Sequence, residues 1–330
     1  MNQKITRRNF MGPLVMAGLS LPFAKSRVGS VTNAGKRIGI IGLDTSHSVA
    51  FTKSLNADSP NPVYDGFKIV AAYPHGSKDI VSSTERIPGY TEQVQKLGVE
   101  IVGSIQDLLH KVDFVMLETN DGRLHLEQAI EIFKAGKTTF IDKPIAASLK
   151  DAKSIFKEAK KYKVPVFSSS SLRYATGMQE IKQGKIGAVS GADTYSPMKF
   201  EKTHPDLFWY GIHGVEMLFT VMGPGCVSVQ RTISEEQEVC TGIWDDGRIG
   251  TFRGIKSGKQ DYGGIAYGKS GILHLGPYNG YDPLLIKIIE FFKSGIPPVD
   301  ERETLAIMAF MEAADVSKNA KGARVELAQI

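Results

Sequence analysis

One stretch near the start of the chain has the residue types of an anion site. Gly39-Ile-Ile-Gly42-Leu-Asp44-Thr45-Ser46-His47 runs from a continuous apolar segment into a short helical one. A helix N-terminus reached in this way offers unpaired backbone N–H groups and the positive end of the helix dipole, which attract phosphate or carboxylate. Thr45, Ser46 and His47 add side-chain donors there. Of the dinucleotide fingerprint G-x-G-x-x-G, only the glycine at Gly42 is present. Asp44 and His47 stand where glycines would let the backbone approach a pyrophosphate and the helix pack close to the strand. A nucleotide here requires Asp44 to turn away while residues 45–47 donate to it. The same residues also suit a capped helix with no nucleotide.

Further along, Tyr73-Pro-His-Gly-Ser77-Lys78 lacks the usual acid for a ribose 2′-hydroxyl, and Asp79 comes late. Ser77 and Lys78 suit a 2′-phosphate, or simply a solvated turn. The histidines at 47, 75, 110, 125, 204, 213 and 274 are scattered, with no His-x-His, no His-Glu-x-x-His and no carboxylate cluster at metal spacing. No metal is expected. A Gly-x-Ser-x-Gly elbow is absent, which disfavours serine hydrolysis.

Apolar runs at 37–43, 67–73, 99–102, 113–118, 138–141 and 164–169 read as buried parallel strands. They alternate with helical segments at 46–55, 90–97, 105–111, 124–135 and 148–161. This predicts a Rossmann-type doubly wound α/β domain over 36–170. From 171 the pattern changes to strands at 188–199, 226–233, 238–244 and beyond, with an Asp246-Gly247 hairpin turn. An apolar helix spans 207–221, and two more follow at 283–292 and 302–318. This half, 171–330, reads as an α+β domain with an open, mostly antiparallel sheet.

Glu118-Thr-Asn120-Asp-Gly-Arg-Leu-His125 begins a helix that leads into Ala135-Gly136-Lys137 and a strand ending in Asp142-Lys143-Pro144. Here the chain resembles the Gfo/Idh/MocA oxidoreductases, the glucose–fructose oxidoreductase and inositol dehydrogenase family. That family has a histidine at the start of this helix, then A-G-K, then a strand ending in E-K-P; Asp142 replaces the Glu. A later D-x-G-x-H helix is matched at Gly211 and His213, with Trp209 in place of the Asp. The tail from Pro297 also resembles the family, so the likeness covers about residues 36–328.

The resemblance implies a nicotinamide-dependent oxidoreductase acting on a sugar, glycoside or cyclitol hydroxyl, with NAD or NADP as cofactor and NAD preferred. It implies Lys143 beside the reacting hydroxyl and His213 as proton acceptor. Gly42, Asp44, Thr45, Ser46, His47, Asn120, His125 and Lys143 would hold the cofactor. Arg173, Tyr210, His204 and Lys199 would meet the substrate, and Tyr210 or Glu216 would orient His213. Two alternatives remain: a cofactor-retaining glycosidase that oxidises its sugar transiently, and a sugar-binding protein that has lost the cofactor. The expected partners are a small carbohydrate-type substrate and, in a homo-oligomer, further copies of the chain.

Composition narrows the partners. The 330 residues carry a formal charge of +5, but residues 1–30 hold five basic side chains and no acid. The rest carries 35 basic and 35 acidic side chains, so the basic footprint of a nucleic-acid binder is missing. Cys226 and Cys240 start two consecutive strands in a register that places Cys226 opposite residue 245, so free thiols are expected.

Arg7-Arg8 precede a weakly apolar run of 13 residues, Gly12 to Ala24, too short to span a bilayer. Residues 1–30 thus resemble a twin-arginine export signal, which implies a bacterial, periplasmic or otherwise exported protein. Replacing both arginines with lysine should leave the protein in the cytoplasm, as read by fractionation. Undiminished export would contradict this assignment.

Overall fold

The computed structural model describes residues 35–330, and the export segment expected at 1–30 lies outside them. The apolar runs of the first half form six parallel strands: β1 (Arg37–Ile41), β2 (Lys68–Tyr73), β3 (Glu100–Ile101), β4 (Phe114–Leu117), β5 (Thr139–Ile141) and β6 (Val166–Ser168). Their order is β3-β2-β1-β4-β5-β6, the doubly wound arrangement. Strand alternation in β1 sends Ile38 and Ile40 to one face and Ile41 to the other. Helices α1 (Ser46–Leu55) and α2 (Val81–Lys96) lie on the first face. Helices α3 (Ile105–Lys111), α4 (His125–Lys134) and α5 (Leu149–Tyr162) lie on the second. The chain order reverses between β1 and β4, so a crevice opens beyond their carboxyl ends.

α2 starts nine residues before the segment its sequence suggests, and it contains Pro88. Pro88 is exposed, so the Thr84 carbonyl it leaves unpaired can turn to water.

The second half begins with α6 (Met178–Lys182) and β7 (Val189–Pro197). A π-helical turn, Leu207–Gly211, runs directly into α7 (Ile212–Met222). Then come β8 (Cys226–Ile233), β9 (Gln237–Trp244), β10 (Ile249–Ile255), β11 (Gly263–Gly268), β12 (Gly271–Leu275), α8 (Asp282–Ser294), α9 (Glu301–Asn319) and β13 (Val325–Glu326). The seven strands order as β12-β11-β7-β10-β9-β8-β13. Only β10 and β7 pair in parallel. The sheet is therefore mixed and mostly antiparallel, as the sequence suggests. α7 and α9 pack together against it through Phe219, Trp244 and Phe310.

α8, from the second half of the chain, packs on the first sheet. Leu284, Leu285, Ile288, Phe291 and Phe292 of α8 share a buried cluster with Ile38, Ile40 and Phe114 of the first sheet. Phe292 stacks on Phe114 with ring centroids 4.7 Å apart, and Phe291 meets Phe167 edge-on at 4.8 Å. The first sheet thus completes its apolar cover with a helix from the end of the chain. The segment leading into α8 is thereby carried past the crevice.

Cys226 pairs with Trp244 and Cys240 with Arg231 across the β8–β9 ladder, and both thiols are buried and free. A register shift after Cys226 accounts for the one-residue difference from the expected partner. Among the described residues, no helix is long and apolar enough to cross a membrane.

Candidate active site

Beyond the carboxyl ends of β1, β4 and β5 lies a cavity of about 410 Å³, its far wall formed by residues of the second half from the π-turn, α7 and the loops beside the second sheet. Thr45, Ser46, His47, Asn120 and Lys143 line it from the first half, and Tyr210 and His213 from α7 and its π-turn.

The β1–α1 loop is shaped by close backbone approach. Gly42 has φ +96°, and a Cβ there would lie 2.3 Å from the Thr119 amide nitrogen. Gly42 therefore serves the packing of the β1 end on the β4 end, and it does not line the cavity. Asp44 is fully buried. Its Oδ2 accepts from Ser83 Oγ at 2.7 Å and its Oδ1 from the Asn120 amide at 3.0 Å. Burial pushes its pKa above the usual carboxylate range, against those two hydrogen bonds. The carboxylate is thus turned into the protein body, away from the cavity, which corrects its assignment as a cofactor contact. Thr45 flanks α1 in extended conformation and makes no side-chain cap, so the helix N-terminus keeps its donors. Arg86 and Ser82 of α2 lie beside it in the cavity wall.

Lys143, at the end of β5, is held by the preceding residue: its Nζ is 3.2 Å from Asp142 Oδ2. Burial works against the ammonium, but the Asp142 carboxylate outweighs it and keeps the pKa above the ordinary lysine value. His213 Nδ1 is 2.8 Å from Ser170 Oγ, which leaves Nε2 as the nitrogen able to meet a substrate. Burial, and then the charge of Lys143, push His213 well below its ordinary pKa. The imidazole is therefore neutral at pH 7. Tyr210 packs edge-on against it at 5.2 Å between centroids and joins hydroxyls with Tyr262 at 2.8 Å.

Several expected site residues do other work. His125 is fully buried, with Nε2 2.6 Å from the Thr119 carbonyl and Nδ1 3.1 Å from that of Ile145. It ties the β4 and β5 ends together and does not reach the cavity. Arg173 is also buried, donating from Nε to Glu216 at 2.8 Å and pairing with Glu303. It is neither a substrate ligand nor a surface charge. Glu216 is spent on Arg173 and Ser169, so Ser170, not Glu216, orients His213. His204 lies 3.1 Å from Asp121 and against Trp209, outside the cavity lining. Ser77 is buried and donates to Asp121 at 2.6 Å, so it is not free for a 2′-phosphate.

Sequence reading missed Ser170, Arg86, Tyr262, Tyr278 and Tyr281. Tyr281 reaches Ser46 Oγ at 3.0 Å, and Tyr278 takes a hydrogen bond from Ser171. Only Ser170 carried a signal, as part of a serine run at the end of β6. The structure also gathers His47, Glu118 and Asp142, 24 to 95 residues apart in sequence, behind Lys143. Burial and the neighbouring Asp142 carboxylate raise Glu118 well above the usual range.

Arg86, Lys143 and Lys199 bring positive charge to the cavity lining, and among the described residues no acidic side chain belongs to it. An open helix N-terminus, hydroxyls and a guanidinium suit a pyrophosphate, and Lys143 and His213 suit the reacting end of a nicotinamide dinucleotide.

Residues 36–170 match the model of the GFO_IDH_MocA oxidoreductase family, NAD-binding Rossmann fold. An uncharacterized oxidoreductase of Streptococcus pneumoniae is 28% identical over 121 residues, covering 35% of this chain and 32% of that protein. The match thus spans about a third of that relative's length. A probable dehydrogenase from Thermotoga maritima superposes with TM-score 0.72 at 19% identity, over 89% of this chain and 99% of that one. Scyllo-inositol dehydrogenase from Lactobacillus casei, solved with NAD(H) and scyllo-inositol, does so with TM-score 0.70 at 15% identity, over 88% and 99%. At these identities the two structures establish a shared fold.

The Arg173 geometry generates a test. Arg173→Met leaves Glu216 buried without its charge partner, and should cost roughly 3–5 kcal/mol of stability in urea unfolding. Unchanged stability would contradict a structural role.

Proposed function

With residues 36–170 an NAD-binding domain of the Gfo/Idh/MocA oxidoreductases, we propose that the whole chain is a nicotinamide-dependent dehydrogenase acting on a hydroxyl of a sugar, glycoside or cyclitol. The observation that carries this reading is that Lys143 and His213, from opposite halves of the chain, line one cavity in complementary protonation states. One is a charged donor and the other a neutral acceptor.

The nicotinamide, when bound, supplies the hydride acceptor. The remaining work falls to the chain. His213 Nε2 takes the hydroxyl proton, while Ser170 on Nδ1 fixes the ring's orientation. The Lys143 ammonium stabilises the negative charge that develops on the same oxygen. Its desolvated setting makes that charge count for more than it would in water. Tyr210, Tyr262, Tyr278 and Tyr281 present hydroxyls and ring faces around this point, a lining that suits a polyhydroxylated ring. The phosphate-bearing part of the cofactor would be met by the α1 N-terminus, Ser46 and Arg86. Export of the folded protein, proposed from residues 1–30, is compatible with a cofactor loaded before translocation.

Lys143→Met should lower turnover on the order of 10²–10³-fold with little change in substrate affinity. His213→Ala should cost roughly 10²–10⁴-fold. Because both groups act on one step, the double variant should lose much less than the product of the single losses. Since His213 must be neutral to accept a proton and its pKa is depressed, kcat/KM should fall with acid only below pH 6.5. Full activity in either single variant, or an acid limb above pH 6.5, would contradict these roles.

A further inference from the structure

Behind Lys143 is a buried cluster that the proposed reaction leaves unused. His47 Nδ1 lies 3.0 Å from Asp142 Oδ1 and 3.7 Å from Glu118 Oε2, and the three donors are all within 4.8 Å of one another. Glu118 and Asp142 have side chains 0% exposed, and that of His47 is 5% exposed. Both Glu118 carboxyl oxygens, Asp142 Oδ1 and His47 Nδ1 lack a hydrogen-bond partner among the described residues. The 3.0 Å contact is close but not aligned as a hydrogen bond. Buried polar groups in native proteins are paired, so three unpaired side chains with ligand atoms within 4.8 Å of one another call for an occupant.

A proton on Glu118 does not supply one. Neither Glu118 oxygen makes a hydrogen bond, and a single proton there would still leave His47 Nδ1 unpaired. Lys143 does not supply one either, because its ammonium sits on the other oxygen of Asp142, Oδ2. A cation seated among the three side chains satisfies all three at once.

We propose that His47, Glu118 and Asp142 bind a divalent transition-metal ion, with zinc the expected case. One imidazole nitrogen and carboxylate oxygens are a zinc donor set, with bonds of about 2.0–2.2 Å, which places tetrahedral donors roughly 3.4 Å apart. The observed 3.0 and 3.7 Å bracket that spacing. Calcium and magnesium prefer an all-oxygen shell and fit less well. The donors come from the first turn of α1 and the ends of β4 and β5, so the ion pins the loop onto the strands where the fingerprint would use a glycine for close packing. This accounts for a histidine at that position, and it holds whether or not the dehydrogenase reading does.

The test uses the whole mature protein, stripped with chelator and titrated with Zn²⁺ alone by calorimetry, with bound metal counted by mass spectrometry. One zinc per chain is expected, with affinity weakened at least about 10-fold in Glu118→Gln and in His47→Ala. X-ray absorption of the zinc-loaded wild-type protein should show one imidazole among oxygen ligands, which keeps the test valid if a variant fails to fold. No stoichiometric zinc, unchanged affinity in both folded variants, or a shell with sulfur or several imidazoles would overturn the proposal.

Discussion

The contact between the Lys143 ammonium and the Asp142 carboxylate sets the electrostatics of the cavity. A buried ammonium without a partner is costly enough that it would surrender its proton. Asp142, adjacent in sequence and fully buried, prevents this. Burial works against the Asp142 carboxylate too, but His47 and Lys143 outweigh it and hold its pKa below the usual range. The charge fixed on Lys143 then helps depress His213 across the cavity. An acidic residue before the lysine thus maintains a cation on one side of the cavity, and that cation helps maintain a neutral base on the other.

The fold exists to bring those two sides together. β5 delivers Lys143 at its carboxyl end, as a doubly wound sheet requires of a ligand-facing residue. The π-turn before α7 brings Trp209 and Tyr210 to the cavity just ahead of His213. α8, returning to cover the first sheet, brings the preceding Tyr278 and Tyr281 to the mouth of the β1–α1 loop. Asp44, which would repel a dianion if it faced the cavity, is instead absorbed by Ser83 and the Asn120 amide. The broken fingerprint therefore leaves a cavity lining without carboxylates.

Much of this was legible in the sequence for identifiable reasons. Strand–helix alternation in the first half is a strong periodic signal, and it located all six strands. Lys143 and His213 sit in local motifs, and the structure places both in the cavity. Arg173, His204 and His125 were misassigned because residue type cannot distinguish a buried pair from a ligand-facing group. Their partners Glu216, Asp121 and the Thr119 and Ile145 carbonyls are brought in by tertiary structure. The tyrosine wall and the His47, Glu118 and Asp142 cluster were invisible for a related reason. Each draws on separate parts of the chain that meet only when the strands align. The first nine residues of α2 were missed because an exposed helix tolerates a proline, Pro88, that a buried one would not.

The most direct measurement of the central claim is energy transfer from tryptophan to reduced nicotinamide in protein freed of carried-over nucleotide. Trp209 lines the cavity, whereas Trp244 is buried in the second sheet's core. Titration with NADH and NADPH under tryptophan excitation should give saturable sensitised nicotinamide emission with at least one of them, reduced in Trp209→Phe. No saturable signal with either nucleotide would contradict a nicotinamide site in this cavity.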